Sequence, residues 1–185
     1  MRKILLTLLI AMLSVGSYAA RGEADTLSAS NIISVEVLPT KDLTKVPVQV
    51  SLTNSVPITC VQCYLGMPDS ADVFLREGDK LVTYTPSQRW NANHQALLVW
   101  NTKKYPGKLM AMVISTRSED FKENSGPIIT VYIDASKLGN GNHRLLMTKA
   151  NVVWTDTKTT KTYYTPDAEI PLVIKNDEVV EPDSM

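Results

Sequence analysis

The sequence predicts an all-β domain, a sandwich or barrel of short antiparallel strands. Three observations carry this. Apolar and polar residues alternate with period two in 33–37 (ISVEV) and 46–52 (VPVQVSL). Turn-forming clusters such as 124–127 (NSGP) and 139–142 (GNGN) recur at short intervals. After the first 20 residues, helical periodicity never persists beyond about two turns.

Each element follows from local chemistry. In the second stretch Val46, Val48, Val50 and Leu52 share one face, as a half-buried strand requires. A short connection over 40–45 joins it to the first, and 54–57 (NSVP) ends it. Strands are then expected over 58–67, 81–84, 96–101, 109–116, 128–135, 143–147, 151–155 and 170–174. The polar stretch 158–162 (KTTKT) is expected to be a hairpin loop.

The ends differ in composition from this middle. Arg2 and Lys3 precede an apolar run over 4–15, followed by Gly16, Ser17, Tyr18 and Ala19. That pattern predicts a secretory signal peptide over 1–20, cleaved after Ala19, with no lipoprotein cysteine behind it. A secreted or periplasmic protein is therefore expected. Residues 21–30 (RGEADTLSAS) form a polar lead, 31–175 the folded domain, and 176–185 an acidic flexible tail. No second long apolar stretch predicts a membrane span after cleavage.

Charge and motif content narrow the function. The whole chain carries 19 basic and 19 acidic residues, and loss of Arg2 and Lys3 leaves 17 against 19. Nucleic-acid binding needs a basic footprint that this balance lacks. There is no G-x-S-x-G elbow and no phosphate-cradling glycine loop. The pairs Glu119–Asp120 and Asp177–Glu178 sit in polar stretches and are expected to be solvated. No enzyme activity, cofactor or metal site is expected.

Cys60-Val61-Gln62-Cys63 is the one motif that argues otherwise. On an extended strand, residues three apart point to opposite sides, with Cα atoms roughly 10 Å apart. A disulfide needs about 7 Å or less. A redox site would need a helix N-terminus after Cys60, which Gly66 and Pro68 interrupt. A zinc site needs two further ligands, and His94 and His143 lack paired spacing. The strand places Val61, Cys63, Leu65 and Met67 on the buried face. Cys60, Gln62 and Tyr64 take the outward one, with Cys60 the more exposed thiol. A pairing of Cys60 with His94 or His143 is the one nucleophilic arrangement left open.

The order of motifs resembles the cohesin-like domains of secreted bacterial proteins. The V-P-V-x-V/L-x-N strand is matched by Val46-Pro47-Val48-Gln49-Val50-Ser51-Leu52-Thr53-Asn54. Pro57-Ile58-Thr59 with Gln62 and Pro68 matches the next strand, where family members often carry aromatics at the positions of Val61 and Cys63. Asn124-Ser125-Gly126, then Gly141-Asn142-His143 and Asn151-Val152-Val153, resemble the later turn and hairpin. The resemblance spans about 31–174. It implies a jelly-roll β-sandwich related to carbohydrate-binding modules, and binding of calcium-loaded dockerin modules through one sheet face. The strand over 58–67 contributes Cys60, Gln62 and Tyr64 to that face. No D-x-D-x-D-G calcium loop occurs in the sequence.

These readings predict a secreted, non-catalytic module that recognises a partner protein at the cell envelope. Gln62 and Tyr64 are its candidate binding residues. The first alternative is binding of an envelope polysaccharide by exposed aromatics, with Trp90, Trp100 and Trp154 as the platform and Trp90 the most exposed. A thiol- or metal-dependent enzyme is the second.

Overall fold

The computed structural model describes residues 30–77, 81–155 and 159–182. The expected leader over 1–20, and the polar lead apart from Ser30, lie outside these residues. Thirteen strands follow one another: β1 (Ile32–Val37), β2 (Val46–Thr53), β3 (Cys60–Gly66), β4 (Arg76–Glu77), β5 (Leu81–Val82), β6 (Tyr84–Pro86), β7 (His94–Thr102), β8 (Tyr105–Ser115), β9 (Ser125–Ile133), β10 (Gly141–Thr155), β11 (Thr160–Thr165), β12 (Ala168–Lys175) and β13 (Glu178–Val180). One 3₁₀ turn (Leu43–Lys45) precedes β2, with the Asp42 carboxylate accepting from the Thr44 N–H at 3.0 Å.

All pairings are antiparallel. The smaller sheet runs β1-β2-β9-β6; the larger runs β13-β12-β10-β3-β8-β7, with β11 also paired to β10. The chain crosses between the sheets repeatedly, so the two inner faces are stitched from distant segments, as in a jelly-roll sandwich. Val46, Val48, Val50 and Leu52 face the core at 0–1 % exposure, as their alternation predicts. Opposite them stand Val61, Cys63 and Leu65 of β3, Leu109, Ala111 and Val113 of β8, and Leu145, Met147 and Val152 of β10. Each fully buried Leu, Ile or Val contributes about 1.5–3 kcal/mol.

Four expectations need correcting. The strands expected over 143–147 and 151–155 are one strand, β10. Lys149 adopts φ 54° and the register to β3 shifts between Thr148 and Asn151. This bulge keeps the strand continuous while its other edge passes from β12 to β11. The expected strand over 81–84 is divided between β5, paired with β4, and β6, paired with β9. Of the expected loop over 158–162, Lys158 lies outside the described residues and 160–162 instead begin β11, whose Thr and Tyr residues suit a strand without an apolar alternation. The acidic tail does not begin at 176. Asn176 and Asp177 take φ 53° and 59°, forming the two-residue hairpin loop that returns β13 onto β12. Val179 is buried there and bridges Thr40.

Candidate functional site

The larger sheet has an inner face in the core and an outer face turned away from the smaller sheet. Strand parity assigns the outer face. Its central column is Cys60, Gln62 and Tyr64 of β3. Across from these on β8 stand Ile114, Met112 and Met110, and on β10 Val153, Asn151 and Thr148. Leu97 and Val99 of β7 extend the face beyond Met112 and Met110. Cys60, Tyr64, Met110 and Met112 are buried at 5–8 % exposure, yet all four stand outside the continuous core between the sheets. The rim residues Leu97, Val99, Ile114 and Val153 are half-buried, and Tyr164 is exposed.

Polar groups are few and distinct. Gln62 is half-buried between Met112 and Asn151, and its amide makes no side-chain hydrogen bond among the described residues. Thr148 accepts from Lys108 Nζ at 3.0 Å, and Asn151 donates to the Lys149 carbonyl at 3.1 Å. The Tyr105 ring lies 4.3 Å from that of Tyr64. Burial, and then Tyr105, raises the Tyr64 pKa above the ordinary phenol value. Such a face offers apolar area, an unspent amide and no catalytic constellation.

The two sulfurs lie on opposite faces, as the strand geometry predicts, and both cysteines are free. Cys60 is the more exposed thiol, at 7 % against 0 % for Cys63, but it too is buried, between Ile114 and Val153. Burial pushes both thiols up to about 12, so neither is a nucleophile at neutral pH. A thiol-labelling reagent should therefore leave both cysteines unmodified in the native protein and modify both after denaturation. Rapid native labelling of Cys60 would contradict the packing around it. Among the described residues, no group of three or more His, Cys, Asp and Glu stands close enough to hold a metal ion.

His94 and His143 have partners other than the cysteines. The Asn91 N–H donates to His94 Nδ1 at 2.8 Å and the ring stacks on Phe121 at 4.3 Å. Burial lowers the His94 pKa, and its buried Nε2 has no partner in the structure. His143 Nε2 lies 3.0 Å from the Gly139 carbonyl, at the turn before β10.

The three tryptophans do not make the expected platform. Trp90, Trp100 and Trp154 are all half-buried and pack against the core. The Trp90 indole N–H donates to the Ile128 carbonyl at 2.6 Å, and its ring stacks on Tyr84. Trp100 packs on Phe74, and Trp154 lies under Lys161. The three rings share no aromatic partner, and none joins Gln62 and Tyr64 on the outer face. In a β-sandwich the large flat indoles fill the ends of the core, where alternation alone does not say which parity is inward.

The two antiparallel sheets and their order define a cohesin-like β-sandwich. Among solved structures, the chain is similar to the seventh ScaB type I cohesin of Pseudobacteroides cellulosolvens, at 12 % identity and a TM-score of 0.55, over 83 % of this chain and 97 % of that one. It is also similar to the sixth cohesin of scaffoldin B from Acetivibrio cellulolyticus, solved in complex with a Cel5 dockerin: 12 % identity, TM-score 0.51, 77 % and 98 % covered. A type I cohesin solved with its dockerin from Clostridium thermocellum gives 11 %, 0.50, and 82 % and 99 % covered. At these identities the likeness establishes the fold. No family model matches the chain, and no curated protein matches it. Among the described residues, no helix is long and apolar enough to cross a membrane.

Proposed function

We propose that this protein is a secreted or periplasmic, non-catalytic module that binds a partner protein through the outer face of its larger sheet. The observation that carries the reading is the composition of that face: Cys60, Tyr64, Met110 and Met112 at its centre, an apolar rim, and the Gln62 amide, without a side-chain hydrogen bond among the described residues. Protein interfaces concentrate apolar and aromatic side chains at the centre and place a few directional polar groups among them. The rigid sandwich behind the face keeps the ordering cost of binding low. Two of the similar cohesins were solved with dockerins, which supports a protein as the occupant. Gln62 supplies the hydrogen bond that fixes register, and Tyr64 supplies ring area.

The test compares variants for binding to a partner recovered from the cell envelope and identified by mass. Gln62→Ala and Ile114→Arg should each weaken binding about 30-fold, as expected for residues at a binding hot spot. Gln49→Lys, on the outward side of the smaller sheet, should bind as the parent does. Equal binding by all three variants would exclude the larger sheet as the docking face.

A further inference from the structure

We infer that the free edge of β7 is a self-association site, through which two copies of this chain pair β7 to β7 about a two-fold axis and join their larger sheets into one.

Three observations point there. Strand β7 ends the larger sheet, and among the described residues no strand pairs with its other side. The β4–β5 ribbon comes near β7 without forming a ladder to it. Second, apart from the bulge at Asn101, the edge strand carries none of the usual deterrents in its own sequence. Proteins blunt exposed edges with charge, proline or brevity. Here β6 contains Pro86, β11 contains Lys161, β1 contains Glu36 and β13 spans three residues, whereas the nine residues of β7 (HQALLVWNT) include no proline, lysine, arginine, aspartate or glutamate. Third, its inward row is incompletely covered. The inward apolar residues of β2, β3 and β8 are at most 3 % exposed, but Ala96, Leu98 and Trp100, which pack on the same core, are only half-buried.

The occupant follows from the sequence of the strand itself. Antiparallel pairing that keeps outer face with outer face must centre on a residue, because directly opposed residues share a side. Centred on Leu98, it sets Leu97 against the partner's Val99, and Ala96 against the partner's Trp100, a small residue facing a large one. Gln95 meets the partner's Asn101, polar to polar. The bulge at Asn101, with φ 55°, ends the regular ladder there.

Charge agrees with this register. Lys103 and Lys104 follow β7 and are exposed. At its other end Asn93 Nδ2 holds the Glu119 carboxylate at 2.7 Å, and Asn91 Nδ2 donates to the Asp120 carbonyl at 2.6 Å. Two-fold pairing brings the lysines of each copy toward the carboxylates of the other. Arg117 and Lys122 flank those carboxylates without reversing the sign of the segment 117–123, which also holds Glu123. The inference stands apart from the proposed function, since it concerns the edge rather than the face.

The experiment is sedimentation velocity across a broad concentration range on three proteins: the parent, Leu97→Lys with Val99→Lys, and Leu97→Glu with Val99→Glu. The parent should double its mass reversibly as concentration rises. Each double variant should remain monomeric, because like charges then face each other across the axis. An equimolar mixture of the two should recover the doubled mass. Hydrogen exchange on the parent should show added protection at β7 amides at high concentration. A parent that stays monomeric throughout, a dimer unaffected by either double variant, or concentration-dependent protection confined to other strands would overturn the inference.

Discussion

Replacing Arg89 with Met should lower the stability of the domain by about 4 kcal/mol, the range expected when a buried, fully bonded charge is removed and its partners are left behind. Arg89 is 3 % exposed, and all five of its guanidinium N–H donors are used. Nε donates to the Lys122 carbonyl at 2.7 Å. Nη1 donates to the Leu52 and Gly126 carbonyls at 2.7 and 2.9 Å, and Nη2 to Asn54 Oδ1 and the Glu123 carbonyl at 2.9 and 2.7 Å. No carboxylate oxygen is among these acceptors. The acceptors belong to the end of β2 and to the segment that leads into β9, so one side chain fastens three stretches of chain. Burial lowers the Arg89 pKa, which Glu123 partly offsets, and the side chain stays charged. Urea denaturation of Arg89→Met and Arg89→Lys checks this. Lysine restores charge and up to three donors, so its loss should be about half as large. A loss below about 1 kcal/mol for Met would mean that water satisfies the carbonyls at little cost.

Gly107→Ala should cost about 3 kcal/mol, combining left-handed strain with overpacking. Gly107 has φ +67°, and an added Cβ would lie 2.3 Å from Ser70 Cβ, 2.6 Å from its Oγ and 3.0 Å from its Cα. Gly139 supplies the control. Its φ is +69°, but nothing lies within 4 Å of an added Cβ, so Gly139→Ala should cost only the strain, about 1 kcal/mol. Thermal melts of both variants separate the two contributions. Equal shifts would mean that the loop carrying Ser70 moves aside freely. Gly107 also lies two residues along β8 from Tyr105, whose ring packs against Tyr64 on the outer face.

Much of the fold is legible because β2 and β3 each sort their residues by parity. Val46 to Leu52 alternates cleanly, and the opposed directions of Cys60 and Cys63 follow from backbone geometry alone. Gln62 and Tyr64 are legible as outward for the same reason. The rest of their face is not. Residues 109–116 (LMAMVIST) and 96–101 (ALLVWN) are apolar at both parities, so nothing local says that Met110, Met112, Leu97 and Val99 face away from the core. That choice is made by which neighbours pair with which. Arg89 is illegible for a different reason: its partners are mostly backbone carbonyls 33 to 37 residues away, which have no signature in the sequence. Strand β13 had a local cue, the Asn176-Asp177 turn before two valines, which the acidic composition around it masks.

The outer face also accounts for why a C-x-x-C here serves no thiol chemistry. One sulfur belongs to the core and the other to the outer face, and burial keeps both protonated. What remains chemically distinctive on that face is the Gln62 amide, which makes no side-chain hydrogen bond among the described residues and is free to bond a ligand.

Hydrogen–deuterium exchange on the protein, free and in the presence of a candidate partner protein recovered as in the binding test, locates binding most directly. Slowed exchange concentrated in β3, β8 and the 148–153 portion of β10 is the expected pattern. Slowing confined to β1, β2 and β9, with those three strands unchanged, would place the partner on the opposite sheet and contradict the assignment.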